Sequence, residues 1–250
     1  MPSDEKKIMM VVAYDGSGFH GFQRQPEGLR TVQAELEKAV LGLTGVPSEV
    51  FGASRTDAGV HATGQTTHFA TSSHIPADRM GRALRRFLPD DISIMNSESA
   101  PPEFHARHSA RGKVYVYTID RSPEPIPMSA KFAARIGAPL DEKKMERAAE
   151  LLVGTNDYSA FRNEGSSPAD PVKTIRAIKI SRYGPFMSIT VTGTAFLYKM
   201  ARNLAGTIVE AGRGRIDPED IPGIIESKDR RLAGPTMPAR GLCLVKVFYE

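Results

Sequence analysis

Apolar residues in this 250-residue chain change their spacing in a fixed order, and that order limits the folds open to it. Ile8–Tyr14 is an apolar run closed by Asp15-Gly16, which predicts a buried strand and then a turn. Thr31 then precedes Val32, Leu36, Ala39, Val40 and Leu43, a helical spacing with a capping hydroxyl in front. Gly42 and Gly45 favour its termination. Glu49–Ser54 and Gly64–Ala70 read as short strands, the second alternating Thr66 and His68 against Thr67 and Phe69. Ala77–Leu88 carries Met80, Ala83, Leu84 and Phe87 on helical spacing and stops at Pro89-Asp90-Asp91, and Ile92–Met95 closes the set as a strand. The predicted order is β-α-β-β-α-β, a ferredoxin-like unit.

Residues 105–250 repeat the pattern loosely. Lys113–Asp120 alternates as a strand. Leu140 and Met145 flank Asp141 as a staple around a helix cap; the helix buries Met145, Ala148, Ala149 and Leu152, and Gly154 stops it. Strands are expected at Thr174–Ser181 and Phe186–Thr192, joined by Arg182-Tyr183-Gly184-Pro185. A helix from about Leu197 to Ala211 would place Leu197, Ala201, Leu204 and Ile208 on one face. Pro218–Ile225 predicts a short helix and Leu242–Tyr249 a last strand, while Ser122–Pro127 and Asn163–Pro171 read as loops. The expected fold class is α+β. Two pseudo-repeated ferredoxin-like (RNA-recognition-motif-like) halves, 1–104 and 105–250, would form an extended, mostly antiparallel sheet with helices on one side. Such a sheet is a platform for a long polar ligand.

Composition removes several classes of function. Hydrophobic residues make up 40% of the chain, too many for a disordered protein. One cysteine excludes an internal disulfide framework and a cysteine-rich zinc site. No apolar run reaches the roughly 18 residues of a membrane span, and the polar opening residues are not those of a secretory signal. A cytoplasmic protein is expected. The net charge is only +4, but residues 1–104 balance at −3 and residues 105–250 at +7. The second half favours Arg over Lys, which suits bidentate phosphate contact, although a surplus of this size also fits a solvated surface.

The densest chemistry is the run Gly52-Ala53-Ser54-Arg55-Thr56-Asp57-Ala58-Gly59-Val60-His61-Ala62. Small residues around a carboxylate let backbone and ligand approach closely, and Arg55 and Asp57, two apart, face one side of an extended segment. Taken alone, this run also fits a turn with a structural Asp.

The run Arg55–Ala62 resembles the signature of the TruA-type tRNA pseudouridine synthases. Further matches follow in the family's order: Tyr14-Asp15-Gly16 with Phe19–Gln23, Phe104–Arg107 with Ser109-Ala110, Tyr115-Val116-Tyr117, Leu152–Tyr158, Phe196–Asn203 and Pro238–Leu242. They cover some nine-tenths of the chain. Ser54 and Phe22 depart from the Gly and Trp that family members often carry there. The resemblance implies isomerisation of uridine to pseudouridine in the anticodon stem-loop of tRNA, at nucleotides 38–40, by a homodimer bridged by one tRNA. The reaction needs no cofactor and no metal. The chain carries no Walker loop, dinucleotide fingerprint or clustered Cys/His ligands.

By the same resemblance, Asp57 is the essential carboxylate in a central cleft, acting as nucleophile on the sugar or as base at C2′. Arg55 corresponds to an arginine associated with base flipping; it would pair with a phosphate or fill the space of the extruded base. Tyr115 matches a tyrosine that stacks on the target uracil. Arg202 matches an arginine that pairs with the catalytic Asp. Tyr117 reads as core. Arg24, Arg30, Arg107, Arg111 and Lys113 lie near the matched segments as expected RNA contacts. His105 and His108, three apart, lack a third ligand for a metal; His61 and Gln23 fit the loop scaffold; Cys243 is expected to be buried in a strand. The alternatives are a synthase acting on another RNA and a non-catalytic tRNA-binding protein of the same fold.

Overall fold

The structure is a computed structural model that describes residues 5–26, 28–165 and 170–250. The middle of the expected loop at 163–171 lies outside the described residues. The chain divides into two compact units: one runs through Arg111 and regains the chain at Leu244–Glu250, and the other is Gly112–Cys243.

The first unit has the expected order: β1 (Lys6–Tyr14), α1 (Val32–Thr44), β2 (Phe51–Gly52), β3 (His61–Thr71), α2 (Ala77–Leu84) and β4 (Ile92–Ala100). In its sheet β1 lies between β4 and β3, antiparallel to both, with Ile8 opposite Phe69 and Ser99. Alternate burial along β1 puts Ile8, Met10, Val12 and Tyr14 in the core. The Thr31 side chain accepts from the Ala34 N–H at 3.3 Å, and Gly45 ends α1 at φ 73°, where a Cβ would be strained. β4 runs to Ala100 rather than stopping at Met95, because pairing with β1 carries a polar sequence that has no apolar signal of its own. α2 ends at Leu84 and tightens into a 3-10 turn at Arg85–Phe87.

The second unit contains β5 (Gly112–Asp120), β6 (Ala134–Arg135), α3 (Glu142–Leu151), β7 (Gly154–Asp157), β8 (Val172–Tyr183), β9 (Phe186–Gly193), α4 (Met200–Gly212) and α5 (Ile221–Ser227). β10 (Leu242–Phe248) ends the series and passes into the first unit at Leu244. The sheet order is β5-β9-β8-β7, antiparallel throughout, with β6 added parallel to the end of β5. β7 was not expected. Its polar Gly-Thr-Asn-Asp run shows no periodicity, and only pairing with β8 makes it a strand. α4 starts at Met200, not Leu197, because Lys199 takes a left-handed conformation at φ 59°. The expected single apolar face is too narrow: every residue of α4 except Arg202 is buried. Cys243 is half-buried rather than buried, since Leu242 and Leu244 take the inward positions of β10 and leave it on the other face.

Gly206 shows how closely α4 is packed. A Cβ there would stand 1.9 Å from the Pro235 carbonyl oxygen, whereas one on Gly223 in α5 would meet nothing within 4 Å. Helix propensity favours alanine at both sites by up to about 1 kcal/mol. Urea denaturation should therefore separate them. Gly223→Ala raises stability by up to about 1 kcal/mol, and Gly206→Ala lowers it by roughly 1–3 kcal/mol through overpacking.

Candidate active site

β2 ends at Gly52 and β3 begins at His61, and the loop between them carries Arg55 and Asp57. Two glycines let other backbone approach it. Gly21 has φ 95°, and a Cβ there would stand 2.8 Å from the Thr56 carbonyl oxygen. A Cβ on Gly16 would stand 2.1 Å from that of Val60. Hydrogen bonds use this proximity. The Phe22 N–H donates to the Thr56 carbonyl at 3.0 Å, and the Gly16 N–H donates to Nδ1 of His61 at 3.0 Å. The Tyr14 and Thr56 hydroxyls lie 2.7 Å apart in the core. The fully buried Gln65 side chain accepts from the Ser54 N–H at 3.1 Å and donates to the Ser54 carbonyl at 2.6 Å. The Val60 N–H closes a turn onto the Asp57 carbonyl at 3.1 Å. Thr56 is buried, while its neighbours Arg55 and Asp57 are exposed and half-buried, as the two-residue period required.

Arg107 belongs to the same unit. Desolvation lowers its pKa, and the nearby charge of Arg55 lowers it further, although its surface is exposed overall. Among the described residues neither guanidinium has a carboxylate partner. The loop bearing Arg107 is pinned at Ala106, whose N–H donates to Nδ1 of His68 at 3.1 Å and whose carbonyl accepts from the Tyr249 hydroxyl at 2.8 Å. Phe51 stacks on His68, ring centroids 5.0 Å apart. His105 packs against both His68 and His108, and its Nδ1 accepts from the Arg107 N–H at 3.1 Å. The other expected cations are engaged. Arg24 pairs with Glu37 at 2.8 Å, and Arg30 grips Asp91 with both terminal nitrogens while its guanidinium lies 4.2 Å from the Phe19 ring centre. The exposed Arg111 donates its backbone N–H to the Phe248 carbonyl.

In the second unit, Tyr115 lies on β5 opposite Val191, buried, with Phe196 edge-on at 4.9 Å. Lys113 is half-buried on the same strand. Tyr117 is 1% exposed and donates its hydroxyl to the Pro238 carbonyl at 2.8 Å. Burial pushes its phenol up, against the charges of Arg202 and Arg240, so Tyr117 is core. Arg202 is aimed by its Nε, which donates to the Met237 carbonyl at 2.7 Å. The next residue, Asn203, is fully buried. Its Nδ2 donates to the Phe161 carbonyl at 2.7 Å and to Asn163 Oδ1 at 2.8 Å, and its Oδ1 accepts from Arg230 at 3.0 Å and Thr236 at 2.6 Å. Thr236 precedes Met237, so this network fixes the carbonyl that holds Arg202. Sequence reading overlooked Asn163, Arg230 and Thr236, which stand in irregular segments. Asn203 was visible beside Arg202 in a matched segment.

A family model described as tRNA pseudouridine synthase matches residues 10–109 and 148–250. The tRNA pseudouridine synthase A of Acetivibrio thermocellus is 44% identical over 244 residues, covering 98% of this chain and 100% of its own. The tRNA pseudouridine synthase A 2 of Clostridium tetani is 42% identical over 246 residues, covering 98% and 99%. That of Ruminiclostridium cellulolyticum, tRNA pseudouridine synthase A, is 42% identical over 245 residues, covering 98% and 100%. Among solved structures, a chain of a Cbf5-Nop10-Gar1 complex overlays with a TM-score of 0.39 and 11% identity, over 95% of this chain and 58% of that one.

His68 accepts a hydrogen bond at Nδ1, which demands a neutral ring with its proton on Nε2. Burial, with the charges of His105 and Lys7, lowers its pKa to about 4. The unfolded chain titrates near 6.5, so it binds the proton first as the pH falls. The stability that neutral His68 contributes is whole above about pH 6.5 and is lost on descent through about 4. Urea midpoints measured across this window should fall in the native protein and fall less in His68→Asn, which keeps an acceptor at the Nδ1 position without a titrating ring, while the neighbouring His105, its pKa also lowered by burial, still titrates.

Proposed function

The chain belongs to the tRNA pseudouridine synthase family, and from that premise we propose how its residues carry the reaction. The protein isomerises uridine to pseudouridine in tRNA. The N1–C1′ bond breaks, the uracil turns, and C5 bonds to C1′; C5 gives up its proton and N1 ends protonated, so the formula is unchanged. Asp57 is the carboxylate that starts this exchange, by attack on the sugar or by taking a proton from C2′. Either task needs an acid held in one place. The observation that carries the reading is the clamped loop: Gly16, Gly21, Tyr14 and Gln65 fasten the backbone on both sides of Asp57 while the side chain stays half-buried.

The remaining roles follow from chemistry. Tyr115 stacks on the flipped uracil. Arg202, aimed by the Met237 carbonyl, supplies the cation that steadies the Asp57 carboxylate during catalysis. Arg55 enters the space of the extruded base or takes a flanking phosphate. Arg55 and Arg107 repel each other until an anion arrives, which suits a phosphate contact. Arg111 and Lys113 extend that contact, and Arg24, half-occupied by Glu37, adds a weaker one. The target is the anticodon stem-loop, nucleotides 38–40. The working form is a homodimer bridged by one tRNA, in the cytoplasm where tRNA is found.

Unmodified tRNA transcripts incubated with the protein should gain pseudouridine in the anticodon stem. Asp57→Ala should lower the rate by about 10³-fold or more while tRNA affinity stays within a few-fold. Binding without conversion by the native chain would favour the non-catalytic alternative, and conversion confined to another RNA would favour the other synthase reading. Arg107→Ala should weaken tRNA binding and reduce the slope of log K against log salt by about 0.7–0.9. Sedimentation should give a dimer mass.

A further inference from the structure

The second unit contains a cavity of about 830 Å³ beside α4, lined by Ser159, Arg162, Asn163, Lys228, Arg230 and Arg231 among others. The charges on its wall are unevenly neutralised. Arg231 is bound to Asp229 at 2.6 Å and Lys228 to Asp157 at 3.0 Å. Asp170 lies 3.7 Å from Lys173. Glu164 also lines the cavity and is exposed. Arg162 and Arg230 differ from these. Both are half-buried, and among the described residues neither has a carboxylate partner.

Arg230 is the more telling of the two. Among the described residues its guanidinium donates only to neutral oxygens: the Ala233 carbonyl at 3.2 Å, Asn203 Oδ1 at 3.0 Å and Thr236 Oγ1 at 3.2 Å. Its Nε is buried with no acceptor. Burial lowers its pKa, the direction expected of a cation whose lost hydration nothing negative offsets. A fixed, desolvated guanidinium costs folding energy unless an anion completes it. Three neutral contacts hold it rigid in advance, so little entropy is lost when that anion arrives. Among the described residues Arg162 makes no side-chain hydrogen bond, which leaves its guanidinium to close on the same ligand.

We propose that this cavity seats a backbone phosphate of the substrate RNA, held by Arg162 and Arg230. The idea rests on the tRNA reading above and deepens it. Asn203 joins Arg230 to the residue next to Arg202, and Thr236 joins it to the segment whose carbonyl aims Arg202. An occupied seat thus braces the turn of α4 that presents Arg202. A phosphodiester is favoured over a free phosphate because the cavity is open and its net surplus of charge is small, fitting one singly charged oxyanion.

The test uses the whole protein and unmodified tRNA. Arg162→Gln should weaken tRNA binding about 5- to 10-fold at low salt and reduce the salt slope by about 0.7–0.9, with an unchanged melting temperature. Arg162→Lys should recover most of that affinity. Single methylphosphonate replacements along the RNA should then reveal one phosphate whose neutralisation weakens the native protein but not Arg162→Gln. Equal affinity and slope for Arg162→Gln and native protein would overturn the proposal. So would millimolar inorganic phosphate raising the native melting temperature, but not that of Arg162→Gln, with no phosphate of the RNA coupled to the residue; the ligand would then be free phosphate. These readouts concern binding alone. A native chain that binds tRNA through Arg162 but forms no pseudouridine would refute the catalytic reading and leave the seat standing.

Discussion

Contact between backbone and backbone, permitted only where Cβ atoms are missing, underlies this protein's chemistry. Gly16 and Gly21 bring the segment after β1 against the carbonyls of Val60 and Thr56, closer than any other residue allows. The approach sandwiches the loop around Asp57. Tyr14 and Gln65 then tie it from the core with bonds that a mobile loop would not keep. The proposed role of Asp57 gains from such rigidity, because misplacement of a reacting group by about 1 Å can cost two orders of magnitude in rate.

The second unit solves a matching problem with polar side chains instead of glycines. α4 is buried on nearly every side, and Arg202 is its one residue that is not. Gly206 admits the Pro235 carbonyl, which brings the following segment against the helix, and Asn203 and Thr236 lock that segment in place. The Met237 carbonyl is then positioned to hold Arg202. Buried polar networks of this kind are costly unless every member is satisfied, and among the described residues Nε of Arg230, a residue that lines the cavity, has no hydrogen-bond partner.

Charge across the chain follows the same division of labour. The small surplus over the whole chain conceals cations with quite different duties. Arg24 and Arg30 are taken up by Glu37 and Asp91, whereas Arg55, Arg107, Arg162 and Arg230 lack acidic partners among the described residues. Counting residues cannot separate these groups. Partner and burial decide which guanidiniums lack a carboxylate among the described residues.

Much was settled by sequence alone. The order of elements in the first unit, the caps at Thr31 and Asp141, and the family itself were legible, because periodicity, capping side chains and short ordered motifs are local properties. Tertiary structure decided the rest. β7 and the far end of β4 exist only through their partner strands. α4 loses its exposed face because packing surrounds it, and Cys243 is half-buried because its neighbours claim the inward positions of β10. The network of Asn163, Asn203, Arg230 and Thr236 joins residues up to 73 positions apart, and no local pattern records a contact at that separation. Sequence determines what each short segment can become; the energy of burying one segment against another selects which of those states is kept.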